Sequence, residues 1–128
     1  MGLVGIGVDV LHTPRILALM RRRSPEQLAR RILSQTEWKE WRQKVHSRDL
    51  PAQATWLAVR WCLKEAAYKA LYPNDKPTWK HLTVEREQNE KPVLCYAPPI
   101  PSLGTLATLH CSVSHDGEYV FGMVVAER

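Results

Sequence analysis

One segment of the chain predicts a helix that must be half buried, namely RWCLKEAAYKAL at residues 60–71. Trp61, Glu65 and Lys69 follow one another at intervals of four residues, so their side chains project from the same face of that helix. A solvent-facing stripe has no need of a tryptophan, and a core would not tolerate an unpaired carboxylate and ammonium group. The stripe therefore indicates a half-buried cleft with fixed charges. The alternative is an ordinary exposed Glu–Lys pair, which contributes only about 0.3–0.5 kcal/mol.

The N-terminal segment from Leu3 to Val10 predicts a strand. Its apolar residues alternate with two glycines and an acid, which is the period-two pattern of a strand with one apolar face. Glycine weakens a strand and often marks close approach by another backbone or by a ligand. We therefore expect Asp9 on an unobstructed face, beside a place where something bulky could lie. The alternative is an acid that is merely solvated near the end of a strand.

The C-terminal segment from Leu109 to Val125 predicts a strand, a turn and a second strand. Asp116-Gly117 is a strong turn signal, and it lies between two apolar runs. Ser114, His115 and Asp116 cluster where the first of these strands ends. They cannot be a hydrolase triad, because adjacent residues on a strand point to opposite faces of the sheet.

Three motifs thus follow one another along the chain. They are Gly5-Ile6-Gly7-Val8-Asp9-Val10, then Arg60-Trp61-x-x-Lys64-Glu65-Ala66-x-x-Lys69-Ala70, then Ser112-Val113-Ser114-His115 followed by Glu118-Tyr119. In order and spacing the chain resembles the holo-acyl-carrier-protein synthases, the small single-domain class of 4′-phosphopantetheinyl transferases. Each motif alone is weak, and the resemblance rests on all three in register between about Val4 and Glu127.

The resemblance implies a reaction in which a serine hydroxyl of an acyl carrier protein attacks the β-phosphorus of coenzyme A. Phosphopantetheine is transferred to the serine, and 3′,5′-ADP leaves. Such phosphoryl transfer needs a divalent cation, and Mg²⁺ typically takes one or two carboxylates together with phosphate oxygens and water. The resemblance assigns the metal to Asp9 and Glu65, and it makes Asp9, Glu65 and Lys69 the catalytic residues.

The same resemblance implies the residues that bind coenzyme A, the co-substrate. Lys69 is placed to meet a phosphate as a point charge. Arg60 and Lys64 match further basic positions, which we assign to coenzyme A phosphates. Ser114 and His115 match the segment that lines the nucleotide end of the site. The alternative for His115 is a purely structural role.

Two features of the site are left open by the sequence. The general base could be Glu65, a metal-bound water or the His115–Asp116 pair, and choosing among them needs distances. The chain also departs from the family pattern, since Tyr68 stands where serine is common and residues 72–77 replace a glycine-rich loop. We expect this loop to close over the nucleotide, but the amides that it offers are not predicted.

Arginines crowd the first quarter of the chain, within a protein that carries 18 basic and 13 acidic residues and a net charge of +5. Such a surface would steer an acidic protein or a nucleic acid toward itself, and a merely solvated basic face is the alternative. The resemblance favours an acidic acyl carrier protein as the partner, with Arg15 at a docking position. Arg21, Arg22 and Arg23 are assigned to the same surface by charge alone.

The predicted fold class is α+β, with residues 1–128 forming a single 4′-phosphopantetheinyl transferase domain. An antiparallel sheet packs against one long helix and short N-terminal helices, and the 45% hydrophobic content suffices for one modest core. The resemblance implies a homotrimer with the active site between subunits. Further elements are predicted from local signals: helix starts at Thr13-Pro14, Ser24 and Ser34, and strands at 81–87 and 93–96.

The sequence also indicates a compartment. No apolar run approaches the roughly 20 residues of a membrane span, and no secretory signal precedes the first strand. Three cysteines without metal-ligand spacing are typical of a reducing compartment. The tryptophan content and the segment Pro77-Thr78-Trp79-Lys80 resemble fungal-type relatives, which favours the mitochondrial matrix over a bacterial-type cytoplasm.

Two other functions compete with the enzyme. One is a non-enzymatic basic domain that binds nucleic acid or a carrier protein, but the chain lacks a recognisable RNA-binding motif and interleaved exposed aromatics. The other is a degenerate family member that acts only as a structural or binding subunit. The presence of Asp9, Glu65 and Lys69 argues against this second reading. We therefore expect an enzyme that binds neither nucleic acid nor membrane.

Overall fold

In the computed structural model, which describes residues 2–86 and 90–128, the elements follow the order that the sequence predicts. The fold is α+β, with a three-stranded antiparallel sheet packed on one long helix and a separate two-stranded hairpin. A turn of π-helix at Trp41–Val45 continues α3, and short 3₁₀ turns lie at Trp79–His81 and Leu103–Leu106. The strands are β1 (Leu3–His12), β2 (Leu82–Glu85), β3 (Val93–Tyr96), β4 (Thr108–Asp116) and β5 (Tyr119–Glu127), and the helices are α1 (Thr13–Arg22), α2 (Pro25–Ile32), α3 (Gln35–Glu40) and α4 (Leu50–Leu71).

The short N-terminal helices begin where their capping residues predict. At the start of α2, the Ser24 hydroxyl accepts a hydrogen bond from the Gln27 backbone N–H at 3.0 Å. At the start of α3, Ser34 and Glu37 form a full capping box, in which each side chain accepts the other residue's backbone N–H. These bonds satisfy N–H groups that the first turn of a helix leaves without partners. The predicted starts are confirmed, although α1 begins at Thr13, one residue before Pro14.

Helix α4 is longer than the segment that predicts it. It begins at Leu50, where the Asp49 carboxylate accepts the Ala52 N–H at 2.9 Å, and it ends at Leu71 as expected. Buried side chains occur on every side of α4, because the sheet covers one side while α1, α2 and β2 cover others. A helix enclosed in this way shows no single apolar stripe.

The main sheet has the strand order β1-β5-β4, and both pairings are antiparallel. The β4–β5 hairpin turns at Gly117, whose φ of +57° is a conformation that glycine adopts at little cost. This confirms the predicted strand–turn–strand. In register, Asp9 lies opposite Gly122, which lies opposite Val113. Because directly opposite residues share a face, these three belong to the side of the sheet that faces α4.

The glycines of β1 allow the backbone of α4 to lie directly against the strand. A Cβ atom added at Gly5 would lie 2.0 Å from the Ala70 carbonyl oxygen, and one at Gly7 would lie 2.0 Å from the Ala66 carbonyl oxygen. The predicted close approach of another backbone is therefore confirmed. The expectation of an unobstructed face is wrong, because α4 covers that face and leaves the Asp9 side chain only 18% exposed.

The opposite face of β1 is apolar and uncovered in the single chain. Ile6, Val8 and Val10 are 61%, 45% and 61% exposed, and Phe121 lies opposite Val10 on the neighbouring strand at 45%. We call these four residues the outer sheet face. The alternation of these aliphatic residues with Gly5, Gly7 and Asp9 predicts the strand. The core of the chain nevertheless lies on the other face, where the glycines contact α4.

The second sheet confirms the predicted hairpin. Strands β2 and β3 pair antiparallel, and Leu82, Val84 and Leu94 are buried in the core. Glu87, the last residue of the predicted strand, lies outside the described residues. Within the described ranges, no helix combines the length and apolar character that crossing a membrane requires.

The close contact between β1 and α4 predicts that an added methyl group lowers the free energy of unfolding by an amount that depends on which atoms it meets. We expect Gly7→Ala to lower the free energy of unfolding by about 3 kcal/mol, because its Cβ would meet helix backbone that cannot move alone. Gly122→Ala is the matched control, since its nearest neighbour is the Cys62 sulfur at 3.0 Å, and we expect a loss of about 1 kcal/mol. Urea unfolding followed by circular dichroism measures both. Equal losses in the two variants would contradict the proposed contact.

Candidate active site

Two carboxylates and an ammonium group converge where β1 meets α4. The Lys69 ammonium donates to the Val8 carbonyl oxygen at 2.9 Å, and it lies 3.5 Å from an Asp9 carboxylate oxygen. Glu65 precedes Lys69 by one helical turn and is half buried. Burial raises the pKa of Glu65, the negative charge of Asp9 raises it further, and Lys69 and Arg15 oppose this shift. The structure therefore brings the three predicted catalytic residues together.

This pair of acids suits a divalent cation. Two carboxylates that repel each other are relieved by an ion of charge +2, and Mg²⁺ commonly binds one or two protein carboxylates. Among residues 2–86 and 90–128, no group of three histidines, cysteines or acids could enclose a metal. Asp9 and Glu65 are oxygen donors of the kind that Mg²⁺ takes, and an ion held by two carboxylates would complete its shell with oxygen atoms of phosphate and water.

A cleft of about 310 Å³ opens beside Glu65, between α4 and the segment that leads into β2. Tyr68 and Trp79 line it together with Glu65. The Trp61 ring lies 5.2 Å from that of Trp79, and the Arg15 guanidinium lies 5.9 Å from the centre of the Trp61 ring. A cleft is thus present beside Glu65 as predicted, and Lys64 also lines it. Among the described residues, Trp61 and Lys69 of the predicted stripe do not line this cleft.

Arg60 belongs to a second, strongly basic cleft of about 850 Å³. Its guanidinium lies 3.6 Å from the centre of the Trp56 ring and 3.6 Å from a Glu40 carboxylate oxygen. Burial lowers the pKa of Arg60 to about 10, although Glu37 and Glu40 oppose the shift. Among the described polar groups, its Nε has no hydrogen-bond partner. The cationic side chains of this cleft, which we call the basic cleft, are Lys44, Arg48, Arg60 and Arg86, with His115 at its edge.

Lys64 occupies a different environment from the one predicted. Its ammonium donates to a Glu37 carboxylate oxygen at 2.5 Å, to the Ile32 carbonyl at 2.8 Å and to the Trp79 carbonyl at 3.0 Å. Its side chain is 1% exposed, and burial lowers its pKa while Glu37 opposes the shift. All three N–H groups of the ammonium have acceptors. A contact between Lys64 and a coenzyme A phosphate, which the resemblance implies, would require the ammonium to leave Glu37 and stays a prediction.

Ser114 and His115 point to opposite faces of the sheet, as the strand geometry predicts. Ser114 lies opposite Phe121 on the outer sheet face, whereas His115 lies opposite the buried Val120 and borders the basic cleft. Asp116 shares the face of Ser114, because strand residues two apart point the same way. The strand geometry therefore disfavours His115 and Asp116 as an acid–base pair, and the choice of general base stays a prediction.

The loop that follows α4 is tied down by an acid that sequence reasoning missed. Asp75 is buried, its backbone N–H donates to the Leu71 carbonyl at 3.0 Å, and its carboxylate accepts a hydrogen bond from the Ser102 hydroxyl. Burial and the neighbouring Asp75 raise the pKa of Tyr96 to about 12. Residues 72–77 contain no glycine, and the hydrogen bonds of Asp75 hold the loop in place. The motif Asn74-Asp75 gives a turn signal but does not indicate a distant partner.

Arg15, Arg21 and Arg22 are all exposed on α1. Arg21 and Arg22 lie in the last turn, where cations interact favourably with the helix dipole. Only Arg15 lies beside the acidic pair. Sequence reasoning did not assign Glu37, Lys44, Arg48 or Arg86 to a site, because only the fold brings them beside residues of α4.

The raised pKa of Glu65 predicts how stability depends on pH. A carboxylate whose pKa is higher in the folded protein binds its proton more tightly there, so its ionisation costs stability as pH rises above its ordinary value. We expect Glu65→Gln to be more stable than the unsubstituted protein at neutral pH in EDTA. This difference should vanish below pH 4.5, the ordinary pKa of glutamate.

Thermal unfolding across this pH range measures the difference. Added Mg²⁺ should stabilise the unsubstituted protein and leave Glu65→Gln unchanged, because a ligand stabilises only the state that binds it. A stability difference that is constant with pH would show that ionisation of Glu65 is not its source.

The sequence is similar to that of known proteins, and these similarities identify the family of the chain. Residues 5–124 match the model of the 4′-phosphopantetheinyl transferase superfamily. The chain is 36% identical over 124 residues to a Schizosaccharomyces pombe protein named, provisionally, as a holo-[acyl-carrier-protein] synthase. This match covers 91% of this chain and 90% of the relative. It is 33% identical to "4′-phosphopantetheinyl transferase B, mitochondrial" of Aspergillus fumigatus, over 96% of this chain and 93% of the relative.

The fold is shared with a solved structure. A Bacillus anthracis holo-(acyl-carrier-protein) synthase, crystallised in complex with coenzyme A (3′,5′-ADP), superposes with a TM-score of 0.72. The match covers 99% of this chain and 98% of that one, at 23% sequence identity. The α+β architecture predicted from the sequence is therefore confirmed.

Proposed function

Because this chain belongs to the 4′-phosphopantetheinyl transferase superfamily, we propose that it is a Mg²⁺-dependent holo-acyl-carrier-protein synthase. It transfers phosphopantetheine from coenzyme A to a serine of an apo acyl carrier protein and releases 3′,5′-ADP. The observation that carries this proposal is the convergence of Asp9, Glu65 and Lys69 at the contact between β1 and α4. Coenzyme A in the crystal of the Bacillus anthracis structure supports the choice of co-substrate.

The transfer breaks one phosphorus–oxygen bond and forms another. The serine oxygen bonds to the β-phosphorus of coenzyme A, the bond to the bridging oxygen breaks, and 3′,5′-ADP leaves with the bonding electrons. The serine proton passes to a base, for which Glu65 and a water molecule remain candidates. When bound, Mg²⁺ held by Asp9 and Glu65 would neutralise the pyrophosphate. Lys69, which is 53% exposed, presents its ammonium to a phosphate oxygen as a point charge.

We assign the nucleotide end of coenzyme A to the basic cleft. Its four cationic side chains suit an anionic ligand, three of them (Lys44, Arg48 and Arg86) are exposed, and His115 stands at its edge. Phosphate groups bind well to guanidinium groups, which offer several N–H donors in a fixed plane. Ser114 points to the outer sheet face, so a contact between Ser114 and coenzyme A requires a ligand that lies between subunits.

We propose that a homotrimer buries the outer sheet face and places the active site between subunits. The three aliphatic residues of β1 and Phe121 on the neighbouring strand are each at least 45% exposed in the single chain. A contiguous apolar surface of this kind marks a protein interface in a water-soluble fold. Ser114 lies opposite Phe121, which puts a predicted ligand-binding residue at the edge of that interface.

We propose that an acidic acyl carrier protein docks on α1. Arg15, Arg21 and Arg22 are exposed there, and Arg15 lies beside both Trp61 and the acidic pair. A carrier bound along this helix would bring its serine toward Glu65. The opposite charges of the two surfaces would speed their encounter.

The mitochondrial matrix is the compartment that we propose for this reaction. The name of the Aspergillus fumigatus relative, which is matched over 96% of this chain, places that protein in the mitochondrion. The free cysteines Cys62, Cys95 and Cys111 fit a reducing compartment of this kind.

The direct test incubates the protein with coenzyme A, Mg²⁺ and an apo acyl carrier protein, and then weighs the carrier by mass spectrometry. We expect the carrier to gain the mass of one phosphopantetheine group. The gain should disappear in EDTA and in Asp9→Ala or Glu65→Ala, because either change removes the metal site. Lys39→Ala, an exposed lysine on α3, is the control that should retain full transfer.

Two outcomes would contradict the proposal. Binding of coenzyme A without transfer to any of several carriers would indicate a binding subunit. The absence of both transfer and coenzyme A binding would show that the family relationship does not extend to activity.

The trimer has its own test at the centre of the outer sheet face. We expect Val10→Asp to produce a monomer, because burying an unpaired carboxylate in an apolar interface is strongly unfavourable. This monomer should be folded and inactive. Val93→Asp is the matched control, since Val93 is 56% exposed on β3 and outside that face. Sedimentation velocity measures assembly, and a dissociated Val10→Asp chain with full activity would refute a shared active site.

A further inference from the structure

Lys64 and Glu65 are neighbours in α4 and both border the cleft beside Trp79, yet the polar ends of their side chains meet different partners. Successive residues of an α-helix point about 100° apart around its axis. Glu65 therefore turns toward Asp9 and the sheet, while Lys64 turns toward α2, α3 and the segment before β2. Whatever fixes Lys64 also fixes the direction of Glu65.

The Lys64 ammonium is held by acceptors from three elements. They are the Ile32 carbonyl at the end of α2, the Glu37 carboxylate in α3 and the Trp79 carbonyl in the 3₁₀ turn. Glu37 is fixed in turn, because it also accepts the backbone N–H groups of Ser34 and Val84 at 2.9 and 2.8 Å. Both side chains are at least 98% buried. The ion pair therefore joins α4 to the elements that pack on the side of the helix away from the sheet, and all three N–H groups of the ammonium are used in this junction.

The near side of α4 sets the distance between helix and sheet, and its one strong side-chain bond in the described structure runs from the Lys69 ammonium to the Val8 carbonyl at 2.9 Å. Gly5 and Gly7 present bare backbone to the helix, so no side chain of theirs interlocks with its surface. The Cys62 thiol donates to the Asp9 carbonyl at 3.2 Å, which is a weak bond. A rotation of α4 would carry Glu65 away from Asp9, and it would have to break the Lys69 bond on this side as well as the bonds of Lys64 on the other. The three bonds of Lys64 oppose that rotation.

We propose that Lys64, held by Glu37, is a positioning residue that turns Glu65 toward Asp9 and so builds the divalent-cation site. This inference rests on the proposed function, because it concerns the same metal site. A buried ion pair is weak support for stability and is better explained by the arrangement that it specifies. Lys64 thereby acts on the metal through its neighbour, without touching coenzyme A.

The test measures Mn²⁺ binding to the substrate-free protein by electron paramagnetic resonance of the free ion. We expect Lys64→Met to weaken Mn²⁺ binding by about 10-fold, as changes to groups that orient metal ligands commonly do. Glu37→Gln should weaken it in the same direction. The double variant should bind no more weakly than Lys64→Met alone, because both changes break one junction.

Lys80→Met is the matched control. Lys80 donates to the Arg30 and Leu33 carbonyls, so its bonds tie the same α2–α3 segment to the 3₁₀ turn, and within the described residues neither bond reaches α4. We expect it to leave Mn²⁺ binding unchanged. Circular dichroism establishes that each variant is folded, and Glu37→Gln provides the answer where Lys64→Met does not fold.

The outcomes separate this inference from the proposed function. If Glu65→Gln binds Mn²⁺ as well as the unsubstituted protein, the metal site and with it the proposed function fail. If Glu65→Gln loses the ion while Lys64→Met and Glu37→Gln keep it, only the positioning role is overturned. A higher KM for coenzyme A in Lys64→Met with unchanged Mn²⁺ binding would likewise overturn it, since that pattern indicates a phosphate contact.

Discussion

The contact between bare strand backbone and helix backbone at Gly5 and Gly7 is the constraint on which the site depends. A side chain at either position would overlap a carbonyl oxygen of α4, so a helix cannot approach a strand this closely without glycine. The short separation lets Lys69 reach across to the Val8 carbonyl at 2.9 Å and brings its ammonium beside Asp9. At an ordinary spacing of about 10 Å, similar to that of packed sheets, α4 would lie farther from β1, and this contact of Lys69 would be lost.

The same contact has a consequence on the other side of the sheet. Because the glycine face receives α4, the large aliphatic residues of β1 have no place in the core of the chain and remain on the outer sheet face. Covering that surface would remove a substantial apolar area from water. The proposed trimer would use this same strand, since the strand that carries Asp9 is the one that exposes Ile6 and Val10. Assembly and chemistry would then share β1.

Much of this could be predicted from the sequence, because the signals are local or belong to a family pattern. Alternation predicts β1, Asp116-Gly117 predicts the final hairpin, and the capping box at Ser34 predicts α3. The buried side of β1 could not be predicted, since a period of two distinguishes two faces without saying which one a helix covers. Nor could the partner of Lys64. Glu37 lies 27 residues away, and its role in the capping box already accounts for its presence in the sequence.

The two lysines of α4 show why burial decides a charge's function. Lys64 and Lys69 are five residues apart in one helix, and as residue types they are equally suited to a phosphate. Lys69 is 53% exposed and only loosely held by Asp9, so an incoming anion can recruit it at little desolvation cost. Lys64 is 1% exposed with every donor used, and moving it to a ligand would leave Glu37 charged, buried and unpaired. That cost keeps Lys64 in place. A fixed ammonium group such as that of Lys64 can orient α4, whereas the exposed ammonium group of Lys69 is free to meet a ligand.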